Sequence, residues 1–533
     1  MSTTALNRLL ITILVLISVL VRFWSIGTYP ALNPDEAALG YNAYSLLLTG
    51  RDEHGAVWPL HFKSFSDYKP GGYVYLDLPI IAVFGLNTLV VRLPNLFLSL
   101  VGLFFFYRLL ILLTKNFSFA YMATLLLSLS PWHIHFSRGA WESGSALSLI
   151  IIGTYFFYSY LNTRHLSRLL LFVLMFASSL YLYHSARIVS PLLAISYFLI
   201  NIKSLVKFPK HLIISLVFGL FLVTPVLVSF VNSGGAARFG GVGFTADPGP
   251  RSRSEELLNH HVTTLSLTDR VLHNYRLEYG LAWLDHYLSH FNFNFLFLVG
   301  DEVPRSKVPQ VGQLLLITLP LFILGLFKLT SFPKLFPLII CWLLVSPLAA
   351  SLTFQSPSAL RALPLVVPLT LITTLGVYTL FELKSKLIII PLFLLFIFNF
   401  IYYVDAYFRH YQQRYPFSWN MGTKELVSYL KPQISQYQNV YITNVYDQPY
   451  ILYLFFSQYP PSQLQPKIQL TPPDKFGFST VDQLDNITFH VPPWDQIPPG
   501  SLVVAAPSEL SNLQPQKTIS YQSYPPTFKI YIK

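Results

Sequence analysis

Asn33-Pro34-Asp35-Glu36 poses the central question of this chain: two neighbouring carboxylates stand just beyond the first hydrophobic segment. Ionisable groups at a bilayer boundary are costly, so a functional reading is the default. A structural reading competes with it. Asn33 can cap a helix, Pro34 suits its first position, and Glu36 occupies the capping-box position. Asp35 and Glu36 would then simply favour a helix N-terminus electrostatically. The four residues leave both readings open. Where the remaining charges fall decides between them.

The 533 residues are 53% hydrophobic, 16% aromatic and only 11% charged. A soluble protein carries about 25% charged residues. The fold class expected is therefore an α-helical polytopic membrane protein. The net charge of +12 is scattered between apolar segments rather than massed on one stripe, which argues against nucleic acid and for topology signals. The lone Cys341 lies in an apolar segment, so neither an internal disulfide nor a cysteine metal cluster can form. The apolar run Leu9–Val21 lacks a small-residue cleavage site before Arg22-Phe23-Trp24 and reads as a retained anchor.

A span needs about 20 mostly apolar residues. Segments 8–28, 91–113, 118–137, 143–161, 167–184, 187–203, 211–231, 311–328, 335–354, 362–381 and 387–404 qualify, about eleven helices by that length rule. Segment 73–86 is short, contains Asp77 and Pro79, and is expected to lie in the interface. With the N-terminus cytoplasmic, Arg108, Lys115, Arg164, Arg168, Lys203, Lys207, Lys210, Lys328, Lys334, Lys384 and Lys386 all fall on the inside, the positive-inside pattern. A twelfth crossing at 73–86 would invert every later loop. The outer face then receives loop 29–90, the turns Arg138–Glu142, His184–Arg187 and Gln355–Arg361, the long loop 232–310, and the tail.

Two domains are expected: a membrane module over 1–404 and an extracytoplasmic α/β domain over 405–533. In the tail, 424–431 and 449–459 read as helices, and 439–443, 487–491, 501–505 and 528–532 as strands. No phosphate-binding glycine loop or catalytic signature occurs there. In the long loop, Arg238-Phe-Gly-Gly and Pro250-Arg-Ser-Arg253 read either as a basic flap over an anion or as a connector. Glu255 to His290 reads as helical, on the outer surface.

The outer loops carry the chemistry. The helix opened by Asp35-Glu36 runs to about Leu48 and stops at Thr49-Gly50. Arg51-Asp52-Glu53-His54 follows, then Asp67-Tyr68-Lys69-Pro70. Arg138 and Glu142 stand four apart, the spacing of an intrahelical ion pair. Tyr183-His184-Ser-Ala-Arg187 and Ser358-Ala-Leu-Arg361 each place a cation at a helix end, where snorkelling to headgroups is the plainer role.

In this order and on one face, the motifs resemble the lipid-carrier-dependent glycosyltransferases of the GT-C fold. Within that fold they are most similar to the branch of protein O-mannosyltransferases and aminoarabinose transferases. The resemblance rests on Asp35-Glu36, Lys69-Pro70, Arg92-Leu93-Pro94, Arg138 with Glu142, Tyr183 to Arg187, Phe295 to Asp301, and Leu360 to Pro364. It implies transfer of a sugar from a polyprenyl phosphate to an acceptor hydroxyl on protein, glycan or lipid, with inversion. It also implies Asp35 as the base, with an exchange of roles with Glu36 left open, and Lys69, then Arg361 or Arg187, at the donor phosphate. Glu142 stands where relatives often carry aspartate, so it either orients the acceptor or holds the base. Arg138, Asp67, His184 and His54 are supporting candidates. A divalent cation is an open cofactor, with His54, Asp67 and His184 as candidate ligands lacking a spacing signature. Membrane lipids are partners and nucleic acid is not. The Trp-Trp-Asp signature of oligosaccharyltransferases is absent. A transporter or flippase of polyprenyl-linked sugars is the alternative, but no internal repeat or midplane charge supports it.

Overall fold

The computed structural model describes residues 3–232, 243–259, 266–474, 477–521 and 526–533. The glycine-rich Arg238 stretch of the long loop lies outside them. The chain divides into two compact units: Met1–Val21, Leu98–Ser137 and Glu142–Ala406 form one, and Arg22–Phe97, Arg138–Trp141 and Tyr407–Lys533 the other.

The first unit is helical. Among the described residues, seven helices of the chain are long and apolar enough to cross a membrane, and five apolar helices are shorter, at 10–17 residues. Three of the expected segments are interrupted or shortened, for local reasons. Ser130, extended before Pro131, splits the segment expected at 118–137 into Phe117–Leu129 and Pro131–Ser137. At 311–328 only Thr318–Phe327 is helical, because the backbone before it bonds sideways: the N–H groups of Gln313 and Leu314 donate to the carbonyls of Phe295 and Leu296. The segment 335–354 forms the helices Phe336–Val345 and Leu348–Ser351, with Pro347 between them. The outer stretch expected as one helix is three pieces, Gly249–Asn259, Leu267–Leu272 and Tyr275–Ser289.

The core of this unit gathers on Glu142–Thr163 and Leu363–Glu382, which are 78% and 89% buried, whereas Pro209–Ser229 is only 11% buried and shows Leu and Phe side chains outward. Without a hydrophobic force between helices in lipid, close backbone approach supplies much of the packing. The crossing of Thr318–Phe327 with Val366–Glu382 depends on it. A Cβ on Gly376 would sit 1.7 Å from the Leu321 carbonyl oxygen, and one on Gly325 1.8 Å from that of Ile372.

The second unit contains residues 29–90, expected as the first outer loop, and the tail. Helix Pro34–Thr49 has the expected ends, an Asn33 capping box and a left-handed Gly50. A hairpin follows, β1 (His61–Ser64) against β2 (Asp67–Pro70), and then the 13-residue helix Gly72–Phe84. The tail forms a six-stranded mixed sheet. Its strands are β3 (Val440–Ile442), β4 (Gln483–Leu484), β5 (Ile487–Thr488), β6 (Leu502–Ala505), β7 (Lys517–Ser520) and β8 (Pro526–Ile532), in the order β4-β5-β3-β6-β8-β7. Strand β3 lies parallel to β5 and β6, and the other pairings are antiparallel. Helices Thr423–Leu430 and Pro449–Ser457 match the sequence expectation.

The tail grips the outer loop. The Tyr41 hydroxyl donates to the Tyr459 carbonyl at 2.8 Å, and Gln465 Nε2 donates to Thr49 Oγ1 at 2.9 Å and the Asp52 carbonyl at 3.0 Å.

Gly376→Ala should cost about 1–3 kcal/mol by overpacking, read as a lower unfolding midpoint in detergent. Gly280→Ala, inside helix Tyr275–Ser289 with open space at its Cβ, is the control and should not lower the midpoint.

Candidate active site

The two adjacent acids have opposite fates. Glu36 is 1% exposed and its carboxylate is saturated. The Asn33 backbone N–H and Nδ2 donate to its Oε2 at 3.2 and 3.1 Å, and the Ala140 N–H donates to Oε1 at 2.8 Å. Arg92 closes on it bidentately, Nε to Oε1 and Nη2 to Oε2, both at 2.7 Å. The remaining Arg92 donors reach the carbonyls of Ile26, Pro30 and Ala31 at 2.8–3.1 Å. Gly139 permits the approach, since a Cβ there would lie 2.6 Å from the Trp141 indole nitrogen and 3.1 Å from Glu36 Oε1. Arg138 belongs to the same frame. Its guanidinium donates to the carbonyls of Arg22, Trp24 and Tyr29 and lies over the Phe408 ring at 4.7 Å. The expected intrahelical pair with Glu142 does not form within one helix: Arg138 follows helix Pro131–Ser137, while Glu142 opens helix Glu142–Thr163.

Asp35 is the acid that faces solvent. Its side chain is 39% exposed, and it accepts a hydrogen bond from the Lys69 ammonium, which is 16% exposed. The hairpin presents Lys69. Its two-residue turn, Phe65-Ser66, has φ of 55° and 65°, the conformation that normally selects Asn-Gly. The tail holds this turn, because Ser479 N–H donates to the Phe65 carbonyl and the Ser66 and Ser479 hydroxyls lie 2.6 Å apart. The Phe65 ring sits 5.2 Å below the Lys69 ammonium and packs edge-on against Tyr450. Asp67 is the first residue of β2, opposite Ser64. The site therefore joins a fixed, buried ion pair to an accessible one on the same helical turn.

Other candidates lie in the first unit. Glu142 begins its helix, half-buried. Arg187 donates through Nε to the Leu180 carbonyl at 3.2 Å, with His184 Nδ1 at 3.5 Å from its Nη1. Arg361 donates to Thr353 Oγ1 at 3.3 Å. Its turn is clamped by two side chains the sequence did not single out for this. Asp301 Oδ2 accepts from the Ala359 N–H at 2.6 Å, and His290 Nε2 accepts from the Ser358 N–H at 3.1 Å. Burial pushes the Asp301 carboxyl up to about 6 despite the two N–H groups and Arg361, and pushes His290 down to about 4, so it accepts as a neutral ring.

No protein-family model matches the sequence, and no curated protein matches it. Solved structures do. ArnT from Cupriavidus metallidurans bound to undecaprenyl phosphate matches at a TM-score of 0.53 and 11% identity, over 99% of this chain and 98% of that one. The protein has the GT-C fold. The archaeal oligosaccharyltransferase AglB from Archaeoglobus fulgidus, in complex with an inhibitory peptide and a dolichol-phosphate, matches at a TM-score of 0.48 and 12% identity. Here the chain spans 63% of the other protein's length.

Within this GT-C chain, sequence reasoning passed over Glu53. It is fully buried, and neither carboxylate oxygen has a hydrogen-bond partner; His54 Nε2 stands 3.6 Å from Oε1. Burial raises its pKa to about 8, Asp52 adding to the rise while the Asn42 amide and Lys69 oppose it. His54 is pushed down to about 4 by burial and by Lys63. The signal in the sequence was the run Arg51-Asp52-Glu53-His54, four ionisable residues just past a helix stop. Among the described residues, no three His, Cys, Asp or Glu side chains gather to hold a metal ion.

Two stability predictions follow from these burials. Arg92→Met should cost about 3–5 kcal/mol by stranding Glu36. The double variant Arg92→Met/Glu36→Gln should recover part of the loss, measured by denaturant titration in detergent. Glu53 holds its proton in the folded state up to about pH 8, against an ordinary value of 4.5. The folded state therefore binds more protons in that window, and stability falls as pH rises through it. Glu53→Gln should be close to neutral at pH 5 and relatively stabilising at pH 8 and above, as read from melting temperatures across a pH series.

Proposed function

We propose that this chain is a glycosyltransferase that moves a hexosyl or pentosyl group from a polyprenyl-phosphate donor to an acceptor hydroxyl on the extracytoplasmic face of the plasma membrane. The observation that carries it is the accessible Asp35–Lys69 pair, set beside a buried Glu36–Arg92 pair that fixes its helix. An acid and a cation held together suit a reaction in which one proton is taken and one anion leaves. The acceptor oxygen attacks the anomeric carbon, its proton passes to Asp35, and the bond from that carbon to the phosphate oxygen breaks with its electron pair on the phosphate. Lys69 turns from Asp35 to the departing phosphate. Attack opposite the leaving group inverts the centre.

Glu36 is a positioning residue in this scheme, since Arg92, Asn33 and Ala140 already occupy its oxygens. Arg187 and Arg361 act as further phosphate cations, and Glu142 as the second carboxylate, by the family resemblance. The similarity to a transferase structure solved with undecaprenyl phosphate supports a transferase over a transporter. The basic loops support a cytoplasmic N-terminus, and the tail from residue 405 is read as the extracytoplasmic domain.

Purified protein incubated with radiolabelled polyprenyl-phosphate sugars and cell-envelope extract should transfer label. Asp35→Asn should lower kcat at least 100-fold at unchanged melting temperature. Lys69→Met should raise the donor KM and lower kcat. Equal rates in Asp35→Asn and wild type would remove Asp35 as the base.

A further inference from the structure

A cleft lies within the unit that contains residues 29–90 and the tail. Its interior holds about 90 Å³ beneath an open mouth. Thr28, Asn420, Lys424, Glu425, Phe456 and Tyr521 line it. Nothing in the reaction scheme above uses these residues.

Its polar groups are incompletely matched. Asn420 is 2% exposed and holds a left-handed backbone, φ 45°. Its Nδ2 donates to the Asp447 carbonyl at 2.9 Å, but its Oδ1 has no partner. Glu425 Oε2 is likewise buried and without a partner. Helix Thr423–Leu430 starts at this cleft behind Gly422, which offers no side-chain cap to the first-turn N–H groups. The Lys424 side chain is exposed at the rim. Phe456 and Tyr521 supply ring surface, and the Tyr521 hydroxyl is already spent on the Thr28 carbonyl.

These features select a ligand chemistry. A simple anion would meet Glu425, and a simple cation would meet Lys424. An apolar group would leave two buried oxygens unpaired, which is unfavourable. A hydroxyl both donates and accepts, so neighbouring hydroxyls can pair with acceptors and donors together. A ring bearing hydroxyls on its edge and C–H groups on its faces also suits the aromatic surfaces. We infer that this cleft binds a sugar ring of the acceptor, so that the acceptor is a glycan. Naming the ligand as acceptor rests on the transferase reading; the sugar-binding chemistry does not.

The test measures binding without turnover. Full-length protein in detergent is mixed with mannotriose, maltotriose or chitotriose, and saturation transfer from protein to sugar is recorded by NMR. At least one trisaccharide should give signal with the wild type and with Asp35→Asn. Glu425→Gln and Asn420→Ala should each reduce that signal at least fivefold, with melting temperatures confirming that the variants fold. Because Glu425 is only half-buried, its variant serves where Asn420→Ala does not fold. No signal from any of the three sugars would overturn the inference, as would equal signal in wild type and Glu425→Gln. So would sugar signal displaced by an unglycosylated serine–threonine peptide. Absent transfer with intact sugar binding would sink the transferase reading alone, and intact transfer with no sugar binding would sink this inference alone.

Discussion

A carboxylate sealed from water needs partners for its oxygens, and Glu36 has them on every side. Arg92 is the main partner, but it spends its other donors on the carbonyls of Ile26, Pro30 and Ala31. One guanidinium thus ties the entry of the first outer loop to the first turn of the helix that carries Asp35. Gly139 and Ala140 complete the shell. The gain is geometric more than energetic, because buried ion pairs roughly break even against apolar packing. What the arrangement secures is a helix end that cannot rotate, with Asp35 held at the rim beside Lys69.

Much of the architecture was legible because apolar length is a strong signal. Each of the eleven segments found by length contains helix, and segment 73–86 is the short helix Gly72–Phe84. The misses have physical reasons. Prolines 131 and 347 cut runs that composition treats as continuous. At 311–317 the chain spends its backbone donors on a neighbouring segment, which no apolar count registers. In the tail, the longer apolar strands were readable. Strand β4 is two residues long, and β7 is polar at its outer positions. Neither has a period to detect.

The candidate site was legible as a set of charged residues, and the surroundings of each were not. Asp35 and Glu36 are neighbours in sequence, and only burial separates the accessible acid from the structural one. Arg138 looked like half of a helix salt bridge because four-residue spacing implies one only where the helix is continuous. The clamp on the Arg361 turn depends on residues about 60 to 70 positions upstream, and tertiary partners of that kind leave no local pattern. Glu53 was visible as a charge, but the lack of a hydrogen-bond partner for its oxygens is a property of packing.

The Phe65-Ser66 turn has a practical consequence. Neither residue favours its backbone conformation, and what holds them there comes from the far end of the chain: Ser479 at the turn and Tyr450 against the Phe65 ring. The lysine of the outer loop is thus seated by residues some 380 to 410 positions later. A shortened protein ending near residue 405, an obvious choice for simplifying expression, would retain every motif that carries the resemblance. It would lack the furniture on which those motifs rest, and silence from such a fragment would say nothing about the chemistry of the whole.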